Sequence, residues 1–147
     1  MDTLRIPVRI GKSRIHRKGL FAARDMKEGS RIIQYIGEKI SREEGQRRLA
    51  QGNVYIFYMS DLFDIDGKTL KNTARYINHA CDPNCYIETT SRTIWIVAAR
   101  NIQKGEELSY NYRYELDEDE NHPCNCGAEN CCGYILDPKY WEMVKRQ

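Results

Sequence analysis

The sequence predicts a mostly β domain built from several small sheets, with few and short helices. Three observations lead to this fold class. Segments rich in β-branched and aromatic residues recur along the chain, turn residues separate them at short intervals, and only one stretch carries a clear helix signature. A length of 147 residues suits one compact domain with a real core.

The strand predictions rest on alternation of apolar and other residues, or on short apolar runs. Residues 4–10 alternate in this way, and Pro7 places that strand at the edge of a sheet. Residues 86–89 and 94–99 have the pattern of a hairpin with a polar tip. Further strands or short apolar runs are expected at 19–23, 31–36, 54–59 and 62–65.

The best helix prediction covers residues 41–51. Ser41 and Glu44 have the spacing of a capping box at its start. Gly45 weakens the interior of this helix, because glycine loses more backbone freedom than alanine when it becomes helical. Two shorter candidates lie at 71–77 and in the tail, 138–147.

Composition limits the classes of function. Hydrophobic residues make up 41% and charged residues 30%, as in globular proteins, and a net charge of +2 is too small to require a nucleic-acid partner. The chain has no apolar run of membrane-spanning length, and residues 1–5 lack the apolar core of a secretory signal. The acidic run at 115–120 is interpreted as a solvated connector.

The six cysteines favour metal binding over three disulfides, because a chain without a secretory signal is expected in a reducing compartment. Three of them are too closely spaced for easy pairwise bridging: Cys124, Cys126 and Cys131. Together with the distant Cys81 they make four thiolates, the tetrahedral set that zinc prefers. By pattern alone Cys132 can replace Cys131, and Cys85 is predicted to be a buried thiol.

Several motifs then occur in the order and spacing of a known family. They are Arg14–Phe21, Tyr35–Glu38, Tyr55–Phe57, Asn78–Cys81 followed by Pro83-Asn84-Cys85, Gly105–Tyr112, and the C-terminal cysteine cluster. From about Arg14 to Ile135 the chain therefore resembles a SET domain with a post-SET zinc segment, of the trithorax and mixed-lineage-leukaemia type. Two departures stand out: Arg17 occupies the place of the family's first loop glycine, and Ala80 that of a serine.

The resemblance implies a SET fold and methyl transfer from S-adenosylmethionine to a protein lysine. Implied zinc ligands for one ion are Cys81, Cys124, Cys126 and Cys131. Implied cofactor-binding residues are His16, Lys18, Gly19, Tyr55, Asn78, His79 and Asn125. Implied catalytic and channel residues are Tyr112, Tyr55, Tyr110 and Tyr35. Tyr112 matches the tyrosine beside the transferring methyl, and Tyr110 matches a switch position whose hydroxyl favours mono- over trimethylation. Tyrosines expected to be core packing are Tyr58, Tyr76 and Tyr140.

The expected organisation is a SET domain at 1–114, an acidic connector at 115–121, a zinc segment at 122–137 and a tail at 138–147. The implied substrate is a lysine in an extended basic peptide such as a histone tail, with possible activating partner subunits, no membrane and no direct nucleic-acid contact. The implied location is the nucleus or chromosome in a eukaryote, and the cytoplasm or a host cell for a bacterial or viral source.

Two alternative functions stay open at this point. One is a catalytically inactive SET-like module that binds peptide or cofactor, an interpretation that Arg17 in place of glycine keeps alive. The other is a small zinc-dependent nucleic-acid binder that contacts phosphate through basic residues such as those between Arg42 and Arg48. The low net charge and the acidic segment beside the cysteines argue against this second alternative.

Overall fold

A computed structural model describes residues 6–117 and 121–145. The elements alternate between short strands and a few short helices. In chain order they are β1 Val8–Lys12, β2 Lys18–Ala22, β3 Arg31–Tyr35, β4 Glu38–Ser41, α1 Arg42–Ala50, β5 Ile56–Tyr58, β6 Phe63–Asp66, a 3-10 turn Thr73–Tyr76, β7 Asn78–His79, β8 Cys85–Thr89, β9 Ile94–Ala98, β10 Ser109–Tyr110, a 3-10 turn Pro138–Tyr140 and α2 Trp141–Lys145.

The strands form four small sheets in the described part of the chain. β1 pairs with β2, β9 lies between β3 and β8, and β6 lies between β4 and β5, all antiparallel. The fourth sheet is a two-residue parallel pair, in which Ser109 faces Asn78 and Tyr110 faces His79. This pair joins the centre of the chain to its C-terminal third. The prediction of a mostly β fold of small sheets is therefore confirmed.

One continuous core holds these sheets together. Its fully buried members come from β2, from β9 and from the segments between strands: Leu20, Ile77, Ile94, Ile96, Ile102 and Leu108. Burying side chains of this kind contributes about 1.5–3 kcal/mol each, before the entropic cost of ordering them. The core therefore fixes β7 and β10, which carry the candidate site, against the rest of the domain.

Helix α1 begins where the sequence predicts it. The Ser41 hydroxyl accepts a hydrogen bond from the Glu44 N–H at 3.0 Å, the bond that caps the first turn. Gly45 is buried in the middle of the helix, which packs on β6. A Cβ atom at Gly45 would lie 2.1 Å from Asp64 Oδ2, so glycine permits an approach that alanine would block.

Other predictions differ in detail from the structure. The expected first strand at 4–10 is observed as β1, and residues 1–5 lie outside the described part of the chain. The helix expected at 71–77 is only the 3-10 turn Thr73–Tyr76. Strand β4 was not predicted, because its four residues include a single buried apolar side chain, Ile40. None of the described helices is long and apolar enough to cross a membrane.

Candidate active site and metal centre

Four cysteine sulfurs meet beside β7. The Sγ atoms of Cys81, Cys124, Cys126 and Cys131 all lie within 4.8 Å of one another. The Cys81 and Cys124 sulfurs are 3.9 Å apart, and sulfurs about 2.3 Å from a tetrahedral zinc are separated by roughly 3.8 Å. The four residues predicted as ligands are therefore brought together at a spacing that fits one zinc ion.

Backbone N–H groups support the cluster. The Cys81 N–H points at Cys126 Sγ at 3.5 Å, and the Gly133 N–H points at Cys131 Sγ at 3.4 Å. Such donors favour thiolate over thiol. Burial raises the pKa of the Cys124 thiol to about 12, so a cation is needed to hold that sulfur as a thiolate near neutral pH.

The two remaining cysteines lie apart from the cluster. Cys85 is buried on β8, as predicted, and burial raises its pKa to about 12, so this thiol is neutral and inert. The Cys132 thiol donates to the Tyr134 carbonyl at 3.2 Å. The choice of Cys131 over Cys132 as a member of the cluster therefore agrees with the geometry.

The C-terminal segment folds back on the domain through main-chain bonds. The Cys124 N–H donates to the Gly133 carbonyl and the Ile135 N–H to the His122 carbonyl, which closes a small loop around three of the sulfurs. The Asp137 N–H then donates to the Tyr114 carbonyl at 3.0 Å. This loop consequently lies beside both Cys81 and the segment after β10 that contains Tyr112 and Tyr114.

The loop between β1 and β2, with the first two residues of β2, carries three of the residues predicted to bind the cofactor: His16, Lys18 and Gly19. Arg17, where the family has glycine, adopts a left-handed φ of 42°, so the loop keeps a conformation suited to glycine. The side chains of His16 and Lys18 are exposed, while their carbonyls both accept hydrogen bonds from the Asn78 side-chain amide at 3.0 Å. Asn78 therefore ties β7 to this loop.

A carboxylate completes this arrangement. Glu107 Oε1 accepts from the Ser13 hydroxyl at 2.5 Å and lies 3.2 Å from the Asn78 amide nitrogen. A Cβ at Gly19 would lie 2.3 Å from the same oxygen, so a larger residue there would displace the Glu107 carboxylate. The exposed basic side chains of Arg17 and Lys18 suit a ligand that carries a carboxylate. Asn125, the last residue predicted for this role, is exposed between two of the clustered cysteines.

The four predicted tyrosines line one cavity of about 1130 Å³. The Tyr35 hydroxyl donates to the Tyr55 carbonyl at 2.8 Å, and the Tyr110 and Tyr112 ring centres are 4.9 Å apart. Burial raises the pKa of the phenols of Tyr35, Tyr110 and Tyr112 well above the usual value, because a phenolate is poorly solvated there. These hydroxyls are therefore neutral at physiological pH.

Tyr112 is held from both ends. Its phenol donates to the Ile77 carbonyl, and its backbone N–H donates to His79 Nδ1 at 3.0 Å. The His79 imidazole is 3% exposed and packs edge-on against the Tyr112 ring. Burial lowers the pKa of His79 to about 4, so this ring is neutral near pH 7.

Sequence reasoning missed several residues of the cavity wall. Tyr114 and His122 extend the aromatic surface beyond Tyr112. The ring centres of Tyr112 and Tyr114 are 5.6 Å apart, and those of Tyr114 and His122 are 5.4 Å apart. The alternation of Tyr110, Tyr112 and Tyr114 is the signal that could have indicated the first of them. Arg75 covers the Tyr55 ring at 4.3 Å, and the sequence gives no sign of this contact.

The core assignment was wrong for Tyr58, which is 53% exposed and lies at the cavity. Its ring lies under the Arg42 guanidinium, and its hydroxyl donates to Asp61 at 2.6 Å. Tyr76 packs against the core, as expected. The Tyr140 hydroxyl bonds to the exposed carboxylate of Glu115, so Tyr140 fastens the tail and is not part of the main core.

This fold and site define a β domain of small sheets that combines an aromatic cavity with a cluster of four cysteines able to hold a metal ion. A model of the SET domain matches residues 17–113, and the chain belongs to the SET-domain family.

The relatives are named histone-lysine N-methyltransferases. ATXR7 of Arabidopsis thaliana is 39% identical over 150 residues, 95% of this chain and 10% of its own length. The trr protein of Drosophila melanogaster is 42% identical over 135 residues, 84% of this chain and 6% of its own. The human protein 2D is 38% identical over 134 residues, 84% of this chain and 2% of its own. The chain thus spans a tenth or less of these relatives.

Solved structures agree on the fold. Polycomb Repressive Complex 2 of Chaetomium thermophilum, autoinhibited and bound to S-adenosylmethionine, superposes with a TM-score of 0.64 at 36% identity. The match covers 71% of this chain and 15% of that one. A humanized mutant of the same complex bound to the inhibitor GSK343 gives a TM-score of 0.65 at 37% identity, with the same two coverages.

Proposed function

We propose that this chain is a protein-lysine methyltransferase that uses S-adenosylmethionine and one structural zinc ion. The observation that carries the proposal is the alternation of side chains around β7. The Asn78 side chain binds the loop of His16 and Lys18, while the residues on either side of Asn78, Ile77 and His79, hold Tyr112 at the cavity. Neighbouring residues of one short strand would therefore hold the cofactor site on one side and the substrate channel on the other.

The chain's own residues can prepare the substrate. A lysine ammonium has a pKa of about 10.4 and no free lone pair, so it must lose a proton before it can attack. The tyrosine-lined cavity desolvates the ammonium and so favours the neutral amine. The neutral phenols add oriented dipoles and confine the amine to one line of approach.

The proposed cofactor residues fit their ligand by chemistry. S-adenosylmethionine, when bound, supplies an electrophilic methyl group. The Lys18 side chain is exposed at the start of β2, and its ammonium suits the ligand's carboxylate. Gly19 is proposed to let the backbone come close to the ligand. The backbones of Asn78, His79 and Asn125 are proposed to hold the amino-acid and adenine ends. The cluster of four cysteines keeps Asn125 next to Cys81 and thereby links metal binding to this site.

We propose a histone-like basic peptide as the substrate, on the strength of the relatives' names. The cavity wall has no excess of negative charge, because its two carboxylates, Asp64 and Glu115, are matched by three guanidinium groups, those of Arg42, Arg75 and Arg113. Acidic complementarity must therefore come from the connector at 115–121, of which residues 118–120 lie outside the described chain. A chromosomal location in a eukaryotic cell follows from the same proposal.

We also propose that a partner subunit covers the end of α1. Leu49 and Val54 are 49% and 56% exposed beside the cavity, and apolar side chains grouped in this way are typical of interaction surfaces. The solved structures of similar fold come from a multi-subunit complex. Leu49 lies in the last turn of α1, and Val54 follows four residues after its end.

The decisive experiment is incubation with labelled S-adenosylmethionine and core histones, followed by mass spectrometry. We expect the unaltered chain to transfer label to histone lysine. Tyr112→Phe keeps the ring and removes one oriented hydroxyl, so its rate should be lower by about 10²–10³-fold. Cofactor binding without label on any lysine would support the inactive module instead. Zinc content, measured on the same samples, ensures that the two proteins are compared in the same metal state.

A further inference from the structure

The His79 side chain lies between the metal cluster and Tyr112. Its Nδ1 accepts a hydrogen bond from the Tyr112 backbone N–H at 3.0 Å, and its Nε2 lies 3.7 Å from the Cys81 sulfur. The ring is buried, so both nitrogens must find their partners within the protein. These two contacts account for both ring nitrogens.

The backbone contact fixes the tautomer of this ring. An amide N–H can only donate, so Nδ1 must be the unprotonated nitrogen and the ring proton must be on Nε2. The Cys81 sulfur is then the acceptor of the second bond. A thiolate accepts better than a thiol, so the direction of this bond agrees with Cys81 acting as a metal ligand.

We propose that His79 is a positioning residue that couples metal occupancy at the four cysteines to the placement of Tyr112. This inference rests on the proposed function. With the metal bound, Cys81 is fixed as a thiolate and holds the Nε2–H, which orients Nδ1 toward the Tyr112 N–H. The phenol end of the same residue is held by the Ile77 carbonyl, so the imidazole supplies the other fixed point.

Two substitutions separate the two bonds. In His79→Asn the short amide places its oxygen near the position of Nδ1 and cannot reach Cys81. In His79→Gln the longer amide places a donor near the position of Nε2 and gives up the bond to Tyr112. Each variant therefore serves as the matched control of the other.

Two measurements apply to each variant: zinc affinity by chelator competition, and kcat and KM with zinc present in excess. We expect His79→Asn to weaken zinc binding by about 10- to 100-fold, with the smaller loss in kcat. We expect the opposite order for His79→Gln, with kcat reduced by about 10- to 100-fold, KM for peptide little changed and the smaller loss in zinc affinity. If zinc affinity and kcat fell equally in both variants, His79 would have only a structural role and the coupling would be refuted.

A measurement on the unaltered protein keeps the inference testable if a variant does not fold. Long-range ¹H–¹⁵N correlation of the zinc-loaded chain should show the His79 proton on Nε2, and removal of zinc should shift the Tyr112 amide resonance. A proton on Nδ1 of His79, or a Tyr112 amide resonance that does not shift when zinc is removed, would overturn the coupling. Neither readout needs methyl transfer, so a failure of the proposed function would appear separately, as an unaltered chain that binds zinc and yields no methylated lysine.

Discussion

The rings of Tyr110 and Tyr112 lie 4.9 Å apart, but their hydroxyls have different surroundings. The Tyr112 hydroxyl is occupied by the Ile77 carbonyl. The Tyr110 hydroxyl lines the same cavity and makes no hydrogen bond to any residue in the described part of the chain. It is therefore free to bind a water molecule at the place where added methyl groups would need room.

This difference predicts a change of product on Tyr110→Phe. Losing one bound water at that position alters the relative barrier for further methylation by about 1 kcal/mol, or roughly fivefold in rate. We expect the parent chain to stop mainly at monomethyl-lysine and the variant to accumulate di- and trimethyl-lysine. Mass spectrometry of a lysine peptide over a time course measures the ratio, with Tyr112→Phe as the variant slow at every step. An unchanged product ratio would refute the role of this hydroxyl.

The pH dependence of the reaction should follow the deprotonation of the substrate lysine and not the ionisation of the tyrosines. Burial raises the pKa of Tyr110 and Tyr112, so the phenols keep their protons where a free tyrosine begins to ionise. The lysine amine becomes reactive as it loses its proton, so kcat/KM should rise about tenfold per pH unit between about pH 7 and 9. No falling limb from tyrosine ionisation is expected below about pH 10.

Initial rates at low peptide concentration, buffered at constant ionic strength, measure this profile. Circular dichroism at each pH separates loss of fold from loss of rate. A bell-shaped profile with its upper limb below pH 9 in a folded protein would show that a phenol ionises more readily than its burial implies.

Neighbouring cysteines allow a sharp test of the metal centre. Cys131 belongs to the cluster, whereas Cys132 donates to the Tyr134 carbonyl. We expect Cys131→Ser to weaken zinc binding by more than about 100-fold, since even residues that only support ligands contribute 10- to 100-fold. Cys132→Ser should bind zinc within a few-fold of the unaltered chain. Chelator competition and metal analysis measure both variants, and a reversal of their order would move the fourth ligand to Cys132.

Removing the zinc with a chelator tests which part of the structure the metal stabilises. Hydrogen exchange should increase for the amides of Cys124 and Ile135, which are protected by the small C-terminal loop. The amide of Ile96, in the centre of a three-stranded sheet, should be unaffected. A uniform increase across the chain would mean that the metal holds the whole domain together.

The sequence was sufficient for the elements whose signals are local. The spacing of Ser41 and Glu44 indicates the start of α1, and the polar residues between 89 and 94 indicate the turn of the β8–β9 hairpin. The four cysteines could be grouped because zinc imposes a ligand number and a geometry that spacing can reveal. These predictions depend on chemistry that acts over a few residues or through one ion.

Elements set by distant partners were harder to predict. The parallel pair of Asn78–His79 with Ser109–Tyr110 has only two residues on each side, too few for any periodic pattern. The contact of Arg75 with Tyr55 joins segments 20 residues apart in sequence through a fold that must already exist. Tyr58 was misplaced because hydrophobicity cannot tell a core ring from one that lies under an arginine at a cavity edge.

Gly45 shows how a local rule fails where two elements touch. As a helix residue it costs about 1 kcal/mol relative to alanine, which would make Gly45→Ala stabilising on an exposed helix. A Cβ there would lie 2.1 Å from Asp64 Oδ2 and 3.0 Å from its Cγ. Asp64 is 1% exposed and its other carboxylate oxygen is paired with Arg42, so the side chain has little freedom to withdraw.

We therefore expect Gly45→Ala to destabilise the domain. Overpacking of this kind costs about 1–3 kcal/mol, against a gain in helix propensity of about 1 kcal/mol, which leaves a net loss of up to about 2 kcal/mol. Urea unfolding at constant zinc concentration measures the free energy of unfolding. Gln46→Ala, at the exposed next position of the same helix, is the matched control and should change it by less than about 0.5 kcal/mol. If Gly45→Ala were instead the more stable of the two variants, α1 would have to sit farther from β6 than the structure shows.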